Sequence, residues 1–514
     1  MTLTRHVPFW LRVLLAPVAG ALIPFSLAPY NWWGLGLLSV AYLGAVTYRE
    51  TGRRCFALAI AFGLGMYGFG ASWVYISISQ FGSTSVPLSF LLTSLFVTGL
   101  ALAFATPFAA YGRWFSARRW SLLIGFPAAW VINEWFRSWI FTGFPWLYVG
   151  YAHLETPLAG WAPILGVFGV SYVVAYCAAV LLELQAKTLS TKGQIAAVAV
   201  AVLLWLSGAL LRPVEWTQLD EKPISVGMAQ GNIPQERKWD PLYLDETFRI
   251  FHGISAPLWD LDWVIWPEAA IPLLYHDALA DLESLAEQAS KTDTVFITGI
   301  LYDDYERQEY YNSLVAIGKG SGISFKTRLV PFGEYVPFER WLRGLIEFFN
   351  LPTSIIHPGP PYSQGLKAKD VTIAPSICYE VVYPDLVAER AATANVLLTV
   401  SNDAWFGQSI GPLQHFEMAQ MRALETGRYL VRATNNGVSG IINPKGEVVV
   451  KGGRSTREAI VGQVFAASGA TPFIIWGSLP VVILAAAMLI FVLAYDRMCV
   501  RSRHPVEREP APSV

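Results

Sequence analysis

Eight apolar stretches, seven before residue 212 and one after residue 470, restrict this 514-residue chain more than any other feature. An apolar helix of ~20 residues, rising 1.5 Å per residue, spans the ~30 Å hydrocarbon core of a bilayer, where every backbone N–H must be bonded within its own segment. The stretches fall at residues 9–28, 32–47, 55–77, 86–111, 121–136, 162–184 and 195–211, then 472–495. They predict a polytopic α-helical membrane domain with eight crossings. A composition of 54% hydrophobic and 15% charged residues is too apolar for a single soluble domain. The predicted division is a seven-span domain over 1–211, an extramembrane domain over 212–470, an eighth helix over 471–496 and a tail over 497–514.

The net charge of −1 conceals a segregation of sign. Arg5, then Arg49, Arg53 and Arg54, then Arg113, Arg118 and Arg119, then Lys187 and Lys192, and finally Arg497, Arg501 and Arg503 fall in alternate loops between apolar stretches. Cytoplasmic loops hold the excess of Lys and Arg, so both termini are expected in the cytoplasm and the 212–470 segment on the far side of the membrane. No small-residue cleavage site follows the first stretch, which is expected to remain as an anchor. Gly63-Leu64-Gly65-Met66-Tyr67-Gly68 has dinucleotide-loop spacing but lies in mid-membrane, where small residues serve close helix packing. Cys55, Cys177 and Cys499 lie in or beside spans and read as small buried side chains.

The extramembrane segment alternates strand-like and helix-like runs. Residues 224–230, 263–266, 294–301, 313–317, 371–377, 396–401 and 440–442 are β-branched and apolar, and 277–290 and 414–427 carry apolar residues at helical spacing. This interleaving predicts a layered α/β domain.

Cys378 is the only cysteine of that segment. A thiol without a disulfide partner in an oxidising compartment is available for chemistry. It follows the strand-like run 371–377, in Ser376-Ile377-Cys378-Tyr379-Glu380. Glu268 follows Trp263-Val264-Ile265-Trp266-Pro267, where apolar neighbours favour a raised pKa and a usable base, and Lys326 supplies an amine ahead of a second carboxylate, Glu334. A base, a cation and a thiol are the set that acyl transfer through a thioester requires.

Trp266-Pro267-Glu268, Lys326 with Leu329-Val330-Pro331-Phe332-Gly333-Glu334-Tyr335-Val336-Pro337, and Ile377-Cys378-Tyr379-Glu380 resemble the nitrilase superfamily. With the apolar stretches, the likeness is to its membrane-anchored branch, the apolipoprotein N-acyltransferase family. Gln230 to Gln235 with Trp239, Gly143-Phe144-Pro145-Trp146-Leu147, and Ser401-Asn402-Asp403-Ala404-Trp405-Phe406-Gly407 also resemble that family. The resemblance implies an α/β nitrilase-like αββα sandwich on the periplasmic side of a bacterial inner membrane. It implies that a phospholipid, typically phosphatidylethanolamine, acylates Cys378, and that the thioester then acylates the α-amine of a diacylglyceryl apolipoprotein by a ping-pong route. Glu268 would be the proton acceptor and donor, Lys326 the oxyanion stabiliser and Glu334 a supporting partner. Tyr379, through its backbone N–H, would be a second oxyanion donor and Glu380 would brace the turn; packing and ion pairing are the alternatives for these two.

Both substrates of such a reaction are lipids, and exposing an acyl chain to water costs about 0.8 kcal/mol per CH₂, so the site must open toward the bilayer. The apolar stretch 341–351, with Phe348 and Phe349, is a candidate arm at the membrane surface or a buried helix. Trp239 and Trp405 suit a lipid–water boundary or ordinary aromatic packing. Arg137, a cation in an outer loop, suits either a phosphate headgroup or support of the Gly143 to Leu147 stretch. A nitrile or amide hydrolase would use the same triad with water as acceptor but needs no eight-span anchor. Transport is disfavoured because Glu134 is the one clear acid among the spans. No CxxC or HExxH is present, the seven histidines are dispersed and no basic stripe exists, so neither a metal cofactor nor a nucleic-acid partner is expected. Nothing in the sequence requires more than a monomer.

Overall fold

The computed structural model describes every residue except 1–3, 5, 83, 332, 336–355, 361–364 and 502–514. All eight apolar stretches are helical. Phe9–Ser26, Val86–Trp114, Pro157–Ala186 and Thr191–Leu211 are long and apolar enough to cross a bilayer, and a fifth span results if Gly52–Gly70 and Val74–Phe81, bent by 56°, are taken together. Trp33–Thr47 and Leu479–Tyr495 are shorter apolar helices, and stretch 121–136 divides into a π-helical turn, Ser121–Gly125, and the helix Phe126–Arg137. Among the described residues, length and apolarity alone thus pick out four or five crossings, and the remaining stretches of the eight expected are shorter or divided helices. Gly65 explains the dinucleotide-like spacing: a Cβ there would lie 1.8 Å from the Pro17 carbonyl oxygen, so its absence lets two helix backbones touch.

The polar segment forms two mixed sheets. The first has the order β13 (Glu458–Ser468), β1 (Gln218–Gln230), β2 (Trp263–Ile265), β3 (Val295–Asp304), β4 (Glu309–Gly318), β6 (Ile323–Phe325). The second has the order β12 (Val448–Lys451), β11 (Gly440–Ile442), β10 (Leu430–Thr434), β9 (Val396–Ser401), β8 (Val371–Ile377), β7 (Leu366–Ala368), β5 (Gly320–Ser321). β1, β2 and β3 are parallel, as are β8, β9 and β10, and the outer strands are antiparallel. Parallel neighbours end side by side, which gathers the residues following β2, β8 and β9 at one rim.

The sheets pack face to face over Val226, Ile265, Ile297 and Leu314 from the first and Ile373, Ile377, Leu398 and Val431 from the second. The outer face of the first sheet is covered by the helices Leu244–Ser255 and Leu279–Lys291 through Phe251, Leu282 and Leu285. The helices Pro384–Ala391 and Gly411–Thr426 cover the second, and their apolar residues belong to the same core as the membrane helices. Four layers result, helices, sheet, sheet, helices, with one outer layer merged into the apolar helical part.

Candidate active site

Cys378 is the first residue after β8 and opens the short 3₁₀ helix Cys378–Val382. Its φ of +53° is uncommon for a residue with a side chain and is sustained only where neighbours over-determine it. Glu380 supplies one restraint. Its Oε2 accepts from the Ile377 N–H at 2.9 Å, and its Oε1 accepts from the N–H and hydroxyl of Thr327, both at 2.8 Å, and from the Arg328 N–H at 3.3 Å. Arg390 binds both oxygens at 2.8 Å and also reaches the Pro375 carbonyl. The turn holding Cys378 is thus tied to the segment holding Lys326. Although Glu380 is fully buried, Arg390 and the backbone donors hold its carboxyl below the ordinary range against that burial.

Glu268 sits beyond the end of β2, where Gly299 of β3 lets the backbone of the Glu268 turn approach. A Cβ at 299 would lie 2.4 Å from Ala269 N and 2.7 Å from Glu268 Cα. Glu268 Oε1 accepts from Asn312 Nδ2 at 2.8 Å and lies 3.5 Å from Lys326 Nζ; Oε2 accepts from the Asn402 N–H at 2.8 Å. Lys326, 1% exposed, donates to Glu334 Oε1 at 2.8 Å. Glu334 is itself held by Asn312 Nδ2 at 3.1 Å and the Val330 N–H at 2.9 Å. Burial opposes the charge on Lys326, but Glu334 and Glu268 outweigh it and hold the ammonium above its ordinary pKa.

Cys378 meets this group through one dipeptide: the Ser401 hydroxyl oxygen lies 3.6 Å from Sγ while the next N–H, of Asn402, binds Glu268. The thiol is raised first by burial and then by Glu268, with Lys326 opposing, so it is neutral at rest. Cys378 nevertheless keeps part of its surface exposed, as a nucleophile must.

The structure brings Glu268, Lys326, Glu334 and Glu380 to Cys378. Tyr379 is buried, with its hydroxyl donating to the Gly143 carbonyl at 3.1 Å. Trp239 is 36% exposed, whereas Trp405 packs edge-on against Phe81 and accepts on its carbonyl from the Ser77 hydroxyl. Phe348 and Phe349, with the whole 341–351 stretch, lie outside the described residues. Arg137 is buried, binding Tyr67 and the Trp146 carbonyl, while its own carbonyl accepts from the Phe144 N–H. It supports the Gly143 to Leu147 stretch and is too enclosed to greet a headgroup.

Sequence reasoning passed over Asn312, Arg390, His415 and Lys238. Asn312 had one visible signal, an amide inside an apolar strand. Lys238, 5% exposed, donates to the Glu268 carbonyl at 3.0 Å, and burial lowers its pKa to about 8 against the pull of Glu268 and Cys378. Among the described residues no group of three or more His, Cys, Asp or Glu could hold a metal ion.

Residues 19–180 match the family model described as the apolipoprotein N-acyltransferase N-terminal domain, and residues 226–471 match that of the carbon-nitrogen hydrolases. The chain is 43% identical over 497 residues to apolipoprotein N-acyltransferase of Pseudomonas aeruginosa (strain LESB58), covering 95% of this chain and 96% of the relative. It is 37% identical over 483 residues to the apolipoprotein N-acyltransferase of Coxiella burnetii, covering 93% of this chain and 99% of the relative. The crystal structure of Saccharomyces cerevisiae Nit3, a nitrilase-superfamily member, aligns with a TM-score of 0.37 at 17% identity over 56% of this chain and 96% of that one.

Proposed function

Because the chain belongs to the apolipoprotein N-acyltransferase family, we propose that it N-acylates the diacylglyceryl cysteine at the start of apolipoproteins, taking the acyl chain from a phospholipid such as phosphatidylethanolamine through a Cys378 thioester. The observation that carries this reading is the bridge by which Ser401 and Asn402 hold the Cys378 thiol and the Glu268 carboxylate side by side, with Lys326 at Glu268.

Glu268 takes the thiol proton as Sγ attacks the sn-1 ester carbonyl. This transfer moves a proton between two neighbouring acids and leaves the total charge of the buried group unchanged, so it avoids a new desolvation cost. Negative charge then passes to the carbonyl oxygen, where the Lys326 ammonium and the Tyr379 N–H stabilise it; one such donor is worth about 10²–10³ in rate. Collapse breaks the C–O bond, and Glu268 returns its proton to the departing lysophospholipid oxygen. In the second half the lipopeptide amine attacks the thioester, Glu268 accepts the amine proton, and the thiolate leaves and regains that proton. Glu334 keeps Lys326 charged and in place throughout.

The same reading includes a monomer with eight crossings and cytoplasmic termini, and a division at 1–211, 212–470, 471–496 and 497–514. The alternation of basic loops supports that topology. Trp239, Trp405, Phe348 and Phe349 are assigned to the lipid side of the site, on the affinity of aromatic side chains for the bilayer boundary.

The test is intact mass spectrometry of the purified chain after incubation with phosphatidylethanolamine, beside a Cys378→Ala variant. An added acyl mass that hydroxylamine removes, that the variant lacks and that discharges onto a diacylglyceryl lipopeptide is expected. A folded protein that gains no adduct from any of several phospholipids overturns the reading.

A further inference from the structure

Against Cys378 lies a second buried polar cluster, which the acyl-transfer steps do not use. His415, 1% exposed and carried by the Gly411–Thr426 helix, places Nε2 3.2 Å from the Cys378 carbonyl oxygen. Its Nδ1 lies 3.0 Å from Arg432 Nη2 and 3.3 Å from Asp403 Oδ1. Arg432 Nη2 also binds Asp403 Oδ2 at 2.9 Å, and Asp403 Oδ1 accepts from the Ser401 hydroxyl, the group that touches Cys378 Sγ. Asp403 therefore reaches the Cys378 sulfur through Ser401, and Arg432, which binds Asp403, reaches the Cys378 carbonyl through His415.

The hydrogen bonds fix the tautomer. A carbonyl oxygen only accepts, so Nε2 carries a proton and donates to it. Arg432 only donates, so Nδ1 facing it at 3.0 Å is the bare nitrogen. Burial and the Arg432 charge both disfavour the imidazolium, in agreement with a neutral ring. The orientation of the ring is fixed by packing: Trp146 and Phe406 lie with centroids 5.9 and 6.0 Å away, and the adjacent Gln414 accepts from Trp146 Nε1 at 2.7 Å.

The Cys378 carbonyl and the Tyr379 N–H belong to one planar trans peptide, so they point in opposite directions and turn together. A donor that holds the carbonyl behind the turn thereby aims the N–H forward. We propose that His415 is a positioning residue that sets the direction of the Tyr379 N–H toward the reacting carbonyl oxygen. This rests on the acyl-transfer reading. It also adds a restraint near the φ of +53° at Cys378, since Glu380 holds the Ile377 N–H, one peptide upstream of that residue's own amide, and His415 holds the peptide that follows it.

The experiment compares His415→Phe, His415→Gln and His415→Asn in the full-length protein by two rates. One is acyl-enzyme formation from phosphatidylethanolamine, read by intact mass. The other is alkylation of Cys378 by iodoacetamide, read at the peptide, which needs the thiolate but no oxyanion donor. A Gln amide reaches where Nε2 stood; an Asn amide is too short.

The expected result is a fall in acylation of about 10²-fold for Phe and Asn, the loss of one oxyanion donor, with alkylation within about threefold of wild type and most of the acylation restored by Gln. If Phe fails to fold, a tenfold or greater advantage of Gln over Asn carries the same conclusion. Equal acylation by Gln and Asn, or acylation and alkylation falling together, overturns the proposal. An absence of adduct in the wild type instead refutes the acyl-transfer reading, and this inference falls with it.

Discussion

Arg390→Met tests whether the clamp under the nucleophile turn carries stability. Arg390 donates to both oxygens of Glu380 at 2.8 Å, to the Pro375 carbonyl at 2.7 Å and to the Thr327 hydroxyl at 3.0 Å. Removing one member of a buried ion pair costs about 3–5 kcal/mol, most of it from the charge left behind. Here Glu380 keeps Ile377 N, Thr327 N, Thr327 Oγ1 and Arg328 N, so the cost falls at the lower end, about 3 kcal/mol.

For a domain of this size each kcal/mol lowers Tm by roughly 2–4 °C, so a drop of about 6–12 °C is expected at fixed scan rate in one detergent. Glu380→Gln costs at least as much, because every partner of that carboxylate is a donor and an amide presents one nitrogen to them. The double variant then loses clearly less than the sum of the two, with a coupling of about 2 kcal/mol. Glu380 has a folded pKa below its unfolded value, so its contribution is present above the ordinary carboxylate range and is lost as pH falls through the lowered folded value. Without Arg390 that loss begins at higher pH, and the acid unfolding midpoint moves up. A single variant within about 2 °C of wild type, or additive losses, refutes the clamp.

Asn312→Leu removes the amide that binds both Glu268 and Glu334, leaving Lys326 alone between them; acyl-enzyme formation is expected to slow by at least about tenfold, and Asn312→Asp to be worse because it adds a third carboxylate. Gly299→Ala forces a Cβ to 2.4 Å from Ala269 N and moves the Glu268 turn, so acylation falls by about 10²-fold while Cys378 alkylation falls less. The pKa of Lys238 is lowered by burial from 10.5 to about 8, so the unfolded chain binds the extra proton between those values and stability rises with pH across that window. Lys238→Met abolishes that rise, at most about 3 kcal/mol, in thermal unfolding measured from pH 8 to 10.5.

What the sequence displayed well was whatever is periodic or chemically singular. Residues 371–377, 396–401 and 440–442 are strands with the expected bounds, because a strand buried on both faces is a continuous apolar run. β12 and β13 were missed: both run along sheet edges, and their exposed Val and Gln positions dilute that signal. β10 was hidden by Arg432, a charge in the middle of a fully buried strand that makes sense only once Asp403 and His415 are placed beside it. Cys378, Glu268 and Lys326 stood out in the sequence as singular groups at strand ends. The roles of Asn312, Arg390 and His415 did not, since each acts by touching a group 10 to 44 residues away, a relation that no local spacing encodes.

The apolar helical part is more than a tether for the α/β domain. Several of the hydrogen bonds that pass between them end on residues beside Cys378 or on the helix that carries His415. The Tyr379 and Tyr383 hydroxyls bind the Gly143 and Thr142 carbonyls, and Trp146 binds Gln414, the neighbour of His415. The Glu417 and Glu425 carboxyls of the same helix accept from the N–H groups of Ala28 and Val167, and Ser77 holds the Trp405 carbonyl. In a free-standing four-layer domain the helix Gly411–Thr426 would need a polar outer face, yet Gln414, Glu417 and Glu425 are buried and spend their polar atoms on the helical part. The side of the α/β domain that packs against the turn at Cys378 through the Gly411–Thr426 helix is thus completed by the apolar helices. The geometry of the turn at Cys378 is therefore set partly by contacts with the apolar helices, through Tyr379, Tyr383 and the neighbour of His415.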